Sequence, residues 1–236
     1  KYLVWGIIII GAALLFVDLG GKDYWSDEIF SLPKIDNLNV ILAQTSWDVH
    51  PPLFFLLEYY WVQLWGKDEA ATRAMSAVFG LLALIVAYHI ARRILPRKNL
   101  PAMMIILCTS PFFLMYARMN RYYALTALLA LLAVYLHMLN LQTPGLHREV
   151  LYWLTALVLI YVDYIGFILL FSLALHFIVR NWRERRLIFR YAAGGIIILL
   201  LYAPWVSVLL YQVERGSSPY PDAASREPVR VFGWIA

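Results

Sequence analysis

Cysteine is almost absent from this chain of 236 residues, with Cys108 standing alone. A disulfide framework and a cysteine-rich metal site are therefore excluded. Cys108 lies in an apolar run and reads as a buried structural thiol. Charge is scarce as well: 15% of residues are Asp, Glu, Lys or Arg, against roughly a quarter in soluble domains. Internal repeats, low-complexity segments and any polar stretch long enough for a soluble domain are missing too. What remains is 62% hydrophobic and 16% aromatic, with a mean hydropathy of +0.67. Disordered, nucleic-acid-binding and ordinary cytosolic classes do not have this composition. The formal charge of +5 fits the lysines and arginines that membrane proteins collect in cytoplasmic loops. The composition predicts an all-α, polytopic membrane protein with no nucleic-acid partner.

A helix rises about 1.5 Å per residue and must cross roughly 30 Å of hydrocarbon. The first apolar run, residues 2–17, is slightly short and is closed by Asp18. No small-x-small cleavage site follows it, so a retained span is expected rather than a cleaved signal. Charge-free runs recur at 74–91, 99–117, 122–141 and 191–213. The run 150–179 is too long for one span and carries Asp163 in its middle. Arg92, Arg93, Arg97 and Lys98 form one basic cluster; Arg180, Arg183, Arg185, Arg186 and Arg190 form another. The positive-inside rule places both in the cytoplasm. The crossings between them must then be even in number, so 150–179 counts twice and turns outward near Asp163. This gives seven transmembrane helices in a single domain over 1–236, with a cytoplasmic N-terminus and an external stretch from about Gln212. The last residues, Phe232 to Ala236, read as the start of another element, so the chain is expected to be the front part of something longer.

One large external loop, 18–69, then holds nine of the fifteen acidic residues and three lysines. Within it, 53–65 is apolar and aromatic but too short to span. It is expected as an interfacial helix started by Pro51 and Pro52 and ended by Gly66.

Chemistry has four candidate places. Trp25-Ser26-Asp27-Glu28 offers adjacent carboxylates, as base, metal ligands or sugar-hydroxyl acceptors, or simply as a solvated acidic loop. Asp48 and His50 alternate on a segment stiffened by two prolines; they suit a metal or substrate, or a polar lead-in to the interfacial helix. Tyr116-Ala117-Arg118-Met119-Asn120-Arg121-Tyr122-Tyr123 puts two arginines on a tight external turn. There they either grip a lipid phosphate through their donor forks or snorkel to headgroups. Asp163 either faces the same cavity or caps the helix after it. Arg73 reads as an ion-pair partner or anchor near Asp68 and Glu69. His89, His137 and His176 read as packed or interfacial. Glu58 is either functional or turned to water.

These pieces in order resemble the GT-C superfamily of integral-membrane glycosyltransferases. The similarity is closest to the branch of protein O-mannosyltransferases and bacterial lipid A aminoarabinose transferases. The matching residues are Trp25-Ser26-Asp27-Glu28, which resembles that family's Asp-Glu motif, then His50-Pro51-Pro52-Leu53. Gly66-Lys67-Asp68-Glu69 through Arg73, Ser110-Pro111, the segment from Tyr116 to Leu125, and Tyr202-Ala203-Pro204-Trp205 follow. The resemblance implies inverting transfer of a sugar from a polyprenyl-phosphate donor to a hydroxyl of a protein, lipid or glycan acceptor, on the outer face of a cytoplasmic or ER-type membrane. It assigns catalysis to Asp27 with Glu28, and the donor phosphate to Arg118 and Arg121 with Tyr122 beside them. Some branches use a divalent cation; Asp48, His50 and Asp163 are the candidates to bind metal or substrate here. Family members are longer than this chain. The rival expectation is a non-catalytic membrane subunit on a shortened scaffold of this kind, with a transporter a distant third.

Overall fold

The computed structural model describes residues 2–32, 38–47 and 49–215, and these form helices with no strand among them. In chain order the helices are α1 (Tyr2–Phe16), α2 (Ser26–Ile29), α3 (Leu38–Trp47), α4 (Leu53–Trp65), α5 (Glu69–Ile94), α6 (Leu100–Thr109), α7 (Pro111–Arg118), α8 (Tyr123–Gln142), α9 (Leu146–Val162), α10 (Ile165–Arg180) and α11 (Arg185–Arg215). Asp48 and the stretch from Gly216 onward, for which the sequence suggested roles, lie outside the described residues.

Local chemistry sets the boundaries. The residue before α4 is Pro52, and Gly66 ends that helix at φ 95°, its N–H bonded to Val62 O. Only glycine takes that backbone geometry without strain. Asp68 caps α5 by accepting from the Ala71 N–H. Ser110 caps α7 by accepting from the Phe113 N–H, with Pro111 in its first turn. This cap also breaks the apolar run 99–117, so α6 and α7 meet at a bend of 53° instead of forming one straight span. Asp163 is extended, and its Oδ1 accepts the Ile165 N–H at 3.0 Å, stopping α9 and starting α10. This bond agrees with the capping reading of Asp163, while its Oδ2 accepts from Thr126 Oγ1 on α8 at 3.2 Å.

Side-chain contacts give the directions. Trp5 meets Tyr88 and Leu15 approaches Gly80, so α1 and α5 run antiparallel. Thr126 bonds Asp163 at one end of α8 and α9, and His137 approaches Tyr152 further along both. Leu159 touches Gly166, while Phe177, far along α10, lies in the cluster with Tyr152 near the start of α9. The run 150–179 is thus a hairpin of two helices turning at Asp163, as expected. The ring of Phe177 stacks on Tyr191 at 4.1 Å, bringing α11 back along the same bundle.

Length is where the expectation needs correction. Among the described residues three helices are long and apolar enough to cross a membrane: α5, α8 and α11. The bent α6–α7 pair makes a fourth if counted as one span. With 15 and 16 residues, α1 and α10 are shorter apolar helices, against the roughly 20 residues a crossing takes. Seven full spans are therefore not established by helix length. The expected helix at 53–65 forms with those bounds. It buries Phe54, Phe55, Glu58 and Val62 and leaves Tyr60, Leu64 and Trp65 exposed. A helix the sequence did not announce, α3, buries Ile41 and Thr45, and the Thr45 carbonyl accepts Gln212 Nε2 from the end of α11 at 2.8 Å.

Two small residues let α5 and α7 touch: a Cβ placed on Gly80 would lie 2.8 Å from the Ala117 Cβ. Nothing lies within 4 Å of the same position on Gly6. Gly80→Ala should therefore lower thermal stability in detergent by about 1–3 kcal/mol, the range for overpacking. Gly6→Ala should cost nothing. Equal midpoints for the two variants would show that the α5–α7 contact is loose.

Candidate functional site

One end of the bundle is built around a carboxylate from α2. Glu28 is 1% exposed. Its Oε1 accepts Arg73 Nε at 2.9 Å and the Asn120 N–H at 2.7 Å. Its Oε2 accepts Arg73 Nη2 at 2.7 Å and the Trp25 N–H at 2.9 Å. Burial alone would push the Glu28 carboxyl up; the Arg73 guanidinium and the two backbone N–H groups outweigh it and hold it below its ordinary value. Arg73, expected beside Asp68 and Glu69, instead reaches across to α2 and to the loop before it. Its remaining donors go to the carbonyls of Leu19, Lys22 and Asp23 at 2.7–3.0 Å. All five guanidinium donors are spent within the protein.

Asn120 extends this network. Its carbonyl accepts from Ser31 Oγ, and its Nδ2 donates to Glu58 on α4. Glu58 is fully buried, so the alternative that turned it to water is excluded. The carbonyl of the next residue, Arg121, accepts from Ser76 Oγ on α5 at 3.3 Å. The turn between α7 and α8 is therefore pinned by α2, α4 and α5 at once.

That pinning holds Arg121 in an unusual state. The residue is 6% exposed, and its Nε and Nη1 have no hydrogen-bond partner among the described residues. The guanidinium sits over the Tyr122 ring, 5.3 Å from its centroid. Tyr122 in turn pairs its hydroxyl with His50 Nε2 at 2.8 Å, with the two rings 4.5 Å apart. Burial raises the Tyr122 phenol well above its ordinary value, with Tyr123 and the Asp163 carboxylate adding to the effect.

The proposed residues divide accordingly. Glu28, Arg121, Tyr122 and His50 come together at this end, with Asp163 close enough to act on Tyr122 electrostatically. Asp27 shares α2 with Glu28 but points outward and is exposed. Arg118 turns the other way from Arg121: its Nη2 donates to the Val17 and Asp18 carbonyls at the end of α1. Asn120, Ser31 and Ser76 were not foreseen, because nothing in their local sequence marks a hub. Among the described residues no three His, Cys, Asp or Glu side chains gather as a metal site.

A family model matches residues 49–208, described as the dolichyl-phosphate-mannose-protein mannosyltransferase family. The chain belongs to that family. It is thereby a membrane glycosyltransferase of the GT-C type. Searches of curated proteins and of solved structures give no significant match. The mannosyltransferase-family match takes in His50, Glu58, Arg73, Arg118, Asn120, Arg121, Tyr122 and Asp163. It stops short of Asp27 and Glu28, which the Arg73 and Asn120 bonds tie into the matched region.

The ion pair makes a pH prediction. A carboxyl held below its unfolded value adds stability at pH above the unfolded value. It loses that contribution as pH falls through the folded value. The thermal midpoint should therefore drop on acidification below the ordinary carboxylate range. Arg73→Ala, which strands a buried charge, should cost about 3–5 kcal/mol at neutral pH. An Arg73→Ala midpoint within a degree of wild type would mean that the pair is not the anchor described here.

Proposed function

We propose that this protein moves a sugar from a polyprenyl-phosphate donor to an acceptor hydroxyl, at the membrane face to which the Glu28–Arg73 end belongs. The observation that carries this reading is Arg121. A buried guanidinium with two nitrogens unpartnered is costly on its own, and a phosphate supplies the anion and the fork-matching oxygens it lacks. Nucleic acid and soluble anions fit less well, because the surrounding bundle is apolar and the donor is membrane-borne.

The chemistry then follows from the neighbours. The acceptor hydroxyl attacks the anomeric carbon while Asp27, exposed at the edge of α2, takes its proton. The bond from anomeric carbon to phosphate oxygen breaks, and the phosphate leaves with the electron pair. A single displacement inverts the anomeric centre. Arg121 stabilises the charge growing on the leaving phosphate. The phosphate is already a good leaving group, so no general acid is needed. Glu28, saturated by four donors, serves as a positioning residue and not as the base. Tyr122 and His50 shape the wall beside the phosphate, and Arg118 attends the outer edge of the same turn. Sidedness is supported by charge: Arg92 and Arg93 end α5 and Arg180 ends α10, at the end opposite Glu28, and the positive-inside rule makes that end cytoplasmic. The site then faces outward, in a cytoplasmic or ER-type membrane, with one transmembrane domain over the chain.

The test is transfer from a panel of polyprenyl-phosphate sugars by the full-length protein in detergent. Asp27→Asn should lose about 10²–10⁴ in rate while donor binding persists. Arg121→Lys should weaken both binding and rate, because one point charge replaces a fork. Near-normal transfer by Asp27→Asn removes it from the mechanism. A wild-type protein that transfers nothing across the panel supports the non-catalytic subunit instead.

A further inference from the structure

Gln212 lies in the last turn of α11 and is buried, and its side chain joins two elements far apart in the sequence. Its Nε2 donates to the Thr45 carbonyl on α3 at 2.8 Å. Its Oε1 accepts the Tyr164 hydroxyl at 2.5 Å. Tyr164 stands between α9 and α10, and its oxygen accepts Trp205 Nε1 at 2.9 Å. Three bonds thus run one way, from Trp205 through Tyr164 and Gln212 to Thr45. The Gln212 amide fits only this way round: reversed, its oxygen would face the Thr45 carbonyl.

Both ends of this chain of bonds are physically required. A helix leaves its last four carbonyls without an internal partner, and Thr45 belongs to that group in α3. The Thr45 hydroxyl is spent on the Ile41 carbonyl within the helix, so the cap comes from Gln212. Thr45 is fully buried, where an unmet polar group is costly. At the other end Trp205 is fixed by packing with Ile160, Tyr202 and Val208. The Tyr161 hydroxyl on α9 donates to the Leu201 carbonyl at 2.9 Å, next to the carbonyl that Pro204 leaves without an N–H. Asp163, the neighbour of Tyr164, bonds Thr126 on α8. Gln212 therefore reaches α3 from a platform already tied to α8 and α9.

The latch bears on the site through the backbone. His50 follows the last residue of α3 by three positions, and its Nε2 pairs with the Tyr122 hydroxyl at 2.8 Å, beside Arg121. Pro51, Pro52 and α4 hold His50 from one side, and α3 holds it from the other. Arg121 is seated separately, by the bonds of its turn to Glu28 and Ser76. We propose that Gln212 and Tyr164 are positioning residues, a role that rests on the transfer reading above. By capping α3 they keep His50 on Tyr122, and so hold the wall beside the phosphate in place. They act through α3 and not on the reacting atoms. Their mark therefore falls on donor affinity and not on the chemical step.

The experiment combines hydrogen–deuterium exchange with transfer kinetics on the full-length protein in detergent. The variants are Tyr164→Phe, which keeps the ring and removes the hydroxyl, and Gln212→Met, which keeps the length and removes the amide. Gly80→Ala serves as the control for a weakened fold. In both chain variants the amides of 38–47 should exchange about tenfold faster than in wild type, the scale of one lost buried hydrogen bond. The donor KM should rise by about tenfold, the same scale, with kcat near wild type. Gly80→Ala should do the reverse, lowering the active fraction, and so kcat, at an unchanged KM. Unchanged exchange of 38–47 in both variants would overturn the latch. Faster exchange with a wild-type KM, or with a fall in kcat alone, would overturn the positioning role while leaving the transfer reading intact. A wild-type protein that neither transfers sugar nor binds a polyprenyl monophosphate in native mass spectrometry overturns the transfer reading and the positioning role together; the exchange of 38–47 then still decides the latch.

Discussion

Glu28 and Arg73 lie 45 residues apart in sequence and meet with their charged groups out of water. Taking either ion out of water costs several kcal/mol, and their attraction offsets that only when every remaining lone pair and proton is satisfied. Here both carboxylate oxygens and all five guanidinium donors are used. Such a pair contributes little net stability compared with an apolar replacement. It contributes geometry, because it can form in only one arrangement of α2, α5 and the turn before α8.

The rest of the site depends on that arrangement. Fixing Glu28 fixes the Asn120 N–H, which fixes the Asn120 side chain against Glu58, which sets the direction in which Arg121 leaves the turn. The same bond that seats Glu28 inward leaves its neighbour Asp27 exposed. One ion pair therefore separates two acids in adjacent positions into a saturated positioning group and an open carboxylate. In the transfer proposed above, one Asp-Glu motif serves both needs because α2 is short and is pinned at one residue.

Much of the frame is legible from local sequence. Pro51, Pro52 and Gly66 bound α4 because their backbone preferences act within a turn. Asp163 in a long apolar run marks a hairpin because an uncompensated carboxylate belongs at a helix boundary. The bend at Ser110-Pro111 was missed as geometry although its residues were noticed, since an apolar run gives no sign of direction. What sequence could not show is partnership at long range. Glu58 sits in a helix whose apolar periodicity hides one acid, and only the fold brings Asn120 to it across 62 positions. The opposite facing of Arg118 and Arg121, three residues apart, depends on the extended backbone of Met119 and on where α1 ends.

We propose that the Glu28–Arg73 network presents Arg121 to a lipid-borne phosphate. An experimental structure of the full-length protein with a polyprenyl phosphate bound tests it most directly. Phosphate density is expected within hydrogen-bonding distance of Arg121 Nε or Nη1, beside Tyr122, with Glu28 and Arg73 still paired. Density held elsewhere, with Arg121 unliganded or turned onto a carboxylate of the protein, would contradict it.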